Sequence, residues 1–162
     1  MDVFTAYDDG LMFAHSSKVL FRKHIESRQT GNYSDFSLFI PAMVNGVFAC
    51  ELFIKSLFTK SVRGHKLNDL LHSLESEDKQ LYNSIISQSI QLLNSSQSSI
   101  KYDESSFINE LNTVSDEFVE LRYFYEPNAH NKPYSIGIII ALMETLEKIC
   151  EDKFGKRPKK SA

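Results

Sequence analysis

The side chains with the widest scope for chemistry are Arg122, His130 and Glu51. Arg122 lies in the run FVELRYFYEPNAH, with Tyr123, Phe124 and Tyr125 directly after it. A guanidinium among aromatic rings is stacked or partly desolvated, so its fixed charge has a use. Two uses compete. Arg122 can pair with Glu51 or Glu126 and pin two helices together, or it can clamp the oxygens of a phosphate. The two are compatible if Glu51 only orients Arg122 for a ligand. His130 follows in a polar turn, where an imidazole that titrates near neutrality can take up or release a proton. A merely solvated loop histidine is the plainer reading.

Glu51 stands in the middle of PAMVNGVFACELFIKSLFT, between Cys50 and Leu52. That stretch, Pro41 to Thr59, is apolar most of the way round a helix, which is the pattern of a buried one. A carboxylate there needs a cation or a hydrogen-bond donor, because an unpaired buried charge is costly. Lys55, one turn on, is one candidate partner and Arg122 is the other. Asn45 shares the helix. His65, just after Gly64, caps or packs the linker that follows. No glycine-rich phosphate loop, zinc-ligand spacing or nucleophile elbow is present, so no cofactor or metal is expected.

The elements that must position these residues read as helices. Leu11 to Arg28 forms a first helix, with Leu11, Ala14, Val19, Leu20 and Ile25 as apolar positions. His15, Lys18, Arg22, Lys23 and His24 give it a cationic side, read as a solvated face before a phosphate-binding one. Pro41 suits the first turn of the central helix. Leu67, Leu70 and Leu71 mark a short amphipathic helix. Ser76 to Asn94 follows, its Ser76-Glu77-Asp78 opening rich in acid. Asn94 to Ser99 is a serine-rich loop. Ser105 or Ser106 opens a helix carrying Phe107, Leu111, Val114, Phe118, Leu121 and Tyr125 as far as Glu126, where Pro127 disfavours continuation. Pro133 opens the last helix, through Ile138, Leu142, Leu146 and Ile149.

The chain has 162 residues, enough for one domain with a substantial core. Only 6 Gly and 4 Pro argue against a turn-rich all-β architecture. The expectation is therefore an all-α, up-and-down bundle of about five or six helices. One domain would span 1–152, with a basic flexible tail over 153–162. A net charge of -3 does not suggest a dedicated duplex-binding protein, though it leaves room for a local basic patch. Cys50 and Cys150 fall inside helical patterns and read as small buried residues of a reducing compartment. With no cationic leader at its N-terminus and no apolar run of about 20 residues, the chain reads as cytoplasmic.

Three pieces together resemble the HEPN (higher eukaryotes and prokaryotes nucleotide-binding) superfamily. They are Asn45…Phe48-Ala49-Cys50-Glu51-Leu52…Lys55, Gly64-His65-Lys66-Leu67…Leu70-Leu71, and Phe118…Arg122-Tyr123-Phe124-Tyr125-Glu126. The similarity covers roughly residues 36 to 150. It implies an HEPN-like bundle, often a symmetric homodimer. It also implies an RNA-directed role, as a metal-independent endoribonuclease of a toxin–antitoxin or phage-defence system. A cognate antitoxin or a larger defence protein would then be a partner. The family's signature is an arginine followed, after about four to six residues, by a histidine, and this chain resembles a divergent member with an altered form of it. Here the pair is Arg122 and His130, with seven residues, Tyr123 to Ala129, between them. Glu51, Glu126, Asn45 and His65 would support it. The alternative is a non-catalytic homodimeric helical module that binds RNA or a partner protein.

Overall fold

The computed structural model describes residues 3–31, 38–96, 100–121 and 136–156, with the side chains of 116–121 left aside. Among the described residues there are six helices and no strand: α1 Val3–Thr30, α2 Phe39–Leu57, α3 Leu67–Glu77, α4 Lys79–Ser95, α5 Glu104–Leu121 and α6 Ile136–Phe154. The fold is an all-α bundle. Arg122, Glu126 and His130 lie outside the described residues, as do Pro127 and Pro133.

α2 is the axis of the bundle, and α1, α3, α5 and α6 all pack on it. Its sequence explains why: from Ala42 to Leu57 almost every side chain is buried, Met43, Val47, Phe53 and Ile54 completely. By length and composition α2 is apolar enough to cross a membrane, but 67% of that window is covered by the rest of the bundle. It is a core helix.

α1 lies along α2 over the most extensive interface in the fold. The contact is made by a stripe of mostly small residues, Ala6, Gly10, Ala14 and Ser17, continued by Phe21 and His24. Small side chains let two helix axes approach closely. A β-carbon added at Gly10 would stand 2.8 Å from the ring of Phe53, and one at Gly46 would stand 2.9 Å from Ile139. The hydroxyl of Ser17 crosses this seam and donates to the carbonyl of Ala42 at 2.8 Å. Lys18 reaches Glu147 on α6. Tyr7 donates to the carbonyl of Gly155, so the start of α1 is tied to the end of α6.

Several expected positions shift. α1 begins at Val3, eight residues before Leu11, because Tyr7 and Ala6 are already core. Ile25 is 52% exposed rather than buried, whereas His24, expected on the cationic face, is buried against Phe39 with ring centres 5.4 Å apart. The short helix expected at Leu67 to Leu71 and the helix expected over Ser76 to Asn94 are both present, but the boundary between them lies at Asp78 rather than before Ser76. Asp78 ends α3, its amide donating to Leu74 at 2.7 Å, and starts α4, its carboxylate accepting from the Leu81 amide at 2.9 Å. α5 opens at Glu104 because Asp103 is its cap, with Asp103 and Ser106 bonding each other's amides. The basic tail starts later than 153, since α6 runs on through Lys153 to Phe154. Residues 157–162 lie outside the described set.

Candidate functional site

Glu51 is 3% exposed, inside the bundle on α2. Two cationic or donor groups meet at one of its oxygens. Lys55 Nζ stands 2.7 Å from Oε1 and His65 Nδ1 stands 2.9 Å from the same atom. The lysine is the first of the two partners expected from the sequence. It arrives by helical geometry, since positions four apart share a face. Its stem is mostly covered, with 14% of the side chain exposed.

The histidine arrives by a different route. After Leu57 the chain does not enter a new helix. Phe58 is buried, and residues 59–66 double back along α2 to the level of Glu51. Two anchors hold this return segment. At its start the amide and hydroxyl of Thr59 both donate to Glu77 Oε1, at 2.9 and 2.8 Å. Those bonds hold the Glu77 carboxyl below its ordinary value. At the far end Gly64 takes φ +115, a conformation that side chains rarely adopt, and turns His65 toward α2. The next helix then starts, with the Leu67 amide donating to Ser115 on α5 at 3.1 Å.

An ionised carboxylate only accepts hydrogen bonds. His65 therefore donates from Nδ1, and in its neutral form the free lone pair is on Nε2. The imidazole is 72% exposed, so Nε2 faces water. The residues around it are basic: Lys60, Arg63 and Lys66 all sit exposed on the same segment. Glu51 Oε2 is buried and takes no hydrogen bond among the described residues. The site is thus a buried carboxylate, a solvent-facing imidazole fixed by it, and a cationic rim.

Of the residues singled out by sequence, the structure brings Glu51 and His65 together. Asn45 is half-buried, six positions before Glu51 on α2. Six positions are about 240° round the helix, so it faces elsewhere. Lys55 was read only as a partner for Glu51, and that is what it is. The role of His65 was not legible, because it stands fourteen positions beyond Glu51 and no local pattern joins the two. Both cysteines are free and buried. Burial pushes the Cys150 thiol up to about 11 and the Cys50 thiol higher still, so neither is a nucleophile. Among the described residues no group of three His, Cys, Asp or Glu side chains stands ready to hold a metal ion.

A second concavity, an open groove of about 480 Å³, lies between α4 and the start of α5. Asn83, Ser87, Gln91 and Glu104 line it with Ile86 and Ile90. Among the described residues that line it, Glu104 is the one ionisable side chain.

No protein-family model, curated protein or solved structure matches this chain.

Proposed function

We propose that this chain is an HEPN-like, RNA-directed protein that acts as a metal-independent endoribonuclease in a toxin–antitoxin or phage-defence setting. One observation carries the reading. Glu51 and His65, the marked polar residues of the first two sequence pieces, meet 2.9 Å apart beside a cationic segment. That supports the resemblance on which the reading rests, since residues far apart in the chain converge on one face. Cations along Lys60 to Lys66 suit a phosphate backbone.

The chemistry follows from the residue types. The 2′-hydroxyl of RNA attacks the adjacent phosphate without a metal. His130 moves a proton and Arg122 neutralises charge on the phosphoryl oxygens. In a homodimer two such sets would share one cleft. The test is cleavage of transfer RNA and of a mixed-sequence single-stranded oligoribonucleotide by the purified protein. Arg122→Ala and His130→Ala are each expected to lower the rate by a factor of about 100 or more. Wild-type rates in both variants would remove the reading.

A non-catalytic homodimeric module is the second reading. It is favoured by one feature: α1 exposes Phe4, Met12 and Ile25 by 48%, 64% and 52%. Light scattering that gives twice the chain mass, together with intact RNA after prolonged incubation, would select it.

A further inference from the structure

We infer that the outward side of α1 between Asp9 and Lys23 binds a second copy of this chain, the two helices crossing antiparallel at Ser16. This rests on the homodimer of the second reading above and names its surface.

α1 uses only one side to join the bundle, the side of Gly10, Ala14, Ser17 and Phe21. On the other side Met12, 64% exposed, is followed one turn later by Ser16, also exposed, and one turn later again by half-buried Leu20. Positions four apart share a face, so these three form one ridge, apolar at both ends and small in the middle. The Ser16 hydroxyl folds back on its own helix and donates to the Met12 carbonyl at 3.0 Å. Little therefore stands above the backbone at the centre of the ridge, which is where a second helix can cross closely. Phe13 flanks the ridge on one side, half-buried and stacked on Phe48 of α2 with ring centres 5.5 Å apart. Half-buried Val19 flanks it on the other.

Charge selects the occupant. Asp9 lies seven positions before Ser16 and Lys23 seven after, about 10 Å along the helix in each direction. Neither has an ion-pair partner among the described residues. A nucleic acid or an anionic membrane laid along this side would meet a carboxylate at one end. A parallel copy would set acid against acid and base against base. An antiparallel copy, related by a two-fold axis at Ser16, sets Asp9 beside the partner's Lys23, and the reverse. The same operation brings Met12 against the partner's Val19 and Phe13 against the partner's Leu20. The surface is thus complementary to itself in charge and in polarity, as a two-fold interface must be. An interface built mainly on one helix falls near the lower bound for specific contacts, roughly 1,200 Å² in total. The dimer is therefore concentration-dependent and weakened by salt.

The experiment follows mass by sedimentation equilibrium and register by cross-linking. Wild type is expected to pass from one chain mass to twice that mass as concentration rises. Lys23→Glu and Asp9→Lys are each expected to weaken association about tenfold, and the double variant that exchanges the two charges is expected to recover it. All these positions are exposed or half-buried, so the bundle itself is left intact. Ser16→Cys, with oxidised glutathione as the oxidant, is expected to form a disulfide between protomers, because two sulfurs at the axis lie side by side. Gln29→Cys, about 20 Å along the helix from the axis, is expected to form none. Cys50 and Cys150 are buried and do not compete. A wild-type dimer with neither the Ser16→Cys cross-link nor rescue by charge exchange overturns this face but leaves the homodimer standing. So does Lys23→Glu of unchanged mass that has lost retention on an immobilised oligoribonucleotide, which would give the basic half of α1 to nucleic acid. Wild type that stays monomeric at millimolar concentration overturns both.

Discussion

Lys55 Nζ lies 2.7 Å from Glu51 Oε1, one helical turn away, with 14% and 3% of the two side chains exposed. A pair this well covered is held by its own completeness. Removing Lys55 leaves a buried carboxylate with only the His65 imidazole beside it, and removing Glu51 leaves a mostly covered ammonium without its partner, each at a cost of about 3 kcal/mol. Glu51→Ala and Lys55→Ala are each expected to lower unfolding stability in urea by about that much. The double variant Glu51→Leu with Lys55→Met should lie within about 1 kcal/mol of wild type, because it removes both charges and fills the space. A double variant as unstable as the two single losses added together would show that the pair is not coupled.

Gly46 is a point of close contact between three helices, α1, α2 and α6. A β-carbon there would meet Ile139 Cγ2 at 2.9 Å and Ser17 Oγ at 3.0 Å. Neither neighbour is free to yield. Ile139 is completely buried, and Ser17 is bonded to the Ala42 carbonyl at 2.8 Å. Alanine ordinarily favours a helix over glycine by about 1 kcal/mol. Here overpacking should outweigh that gain, and Gly46→Ala is expected to cost about 1–3 kcal/mol. Adding Ser17→Gly opens the clash and should recover part of the loss. Urea midpoints of the two variants check both statements.

How much of this was legible in the sequence differs from one element to the next. α2 was legible because burial on nearly all sides leaves a run too apolar for anything else, and Glu51 stood out against it. The stripe on α1 was legible only at Ala14, because Gly10 and Ser17 carry little hydrophobic signal. Their value is in being small. Periodicity therefore favoured Ile25, which faces water, over His24, which does not. The break between α3 and α4 was legible only to within two residues, as the start signal Ser76-Glu77-Asp78. Ser76 and Glu77 are equally good first-turn residues, and only the geometry of the Leu74 carbonyl and the Leu81 amide selects Asp78. The pairing of His65 with Glu51 depends on residues 59–66 turning back along α2. That is a tertiary fact with one local trace, the glycine at 64.

The Thr59–Glu77 anchor makes the return segment sensitive to acid. Bonds from the Thr59 amide, then from its hydroxyl, hold the Glu77 carboxyl below its ordinary value of 4.5. A carboxyl lowered in the folded state stabilises that state above its unfolded value. The contribution is lost as pH falls through the folded value. The anchor is therefore intact at neutral pH and lost below the ordinary carboxyl range. Proteolysis within Lys60 to Lys66 by an acid-active protease should accelerate as pH falls through that window. Glu77→Gln should cleave faster at the higher end and show a flatter dependence on pH. An unchanged profile in Glu77→Gln would place the sensitivity elsewhere.

Cys150 closes the same end of the bundle from within. Its sulfur sits 3.5 Å from Ser56 Oγ, against α2. Burial pushes its thiol up to about 11, with the Ser56 hydroxyl and Lys153 pulling weakly the other way. Cys50, wholly buried, is pushed higher still. Thiolate is the reactive form, so at pH 8 both sulfurs are protected by protonation as well as by lack of access. A colorimetric thiol reagent at pH 8 should titrate neither cysteine in the native protein and both in strong denaturant. The rate at low denaturant should follow the unfolding equilibrium, since opening of α2 from α6 is what exposes either sulfur. Fast labelling of one thiol in the absence of denaturant would mean that this end of the bundle opens separately from the rest.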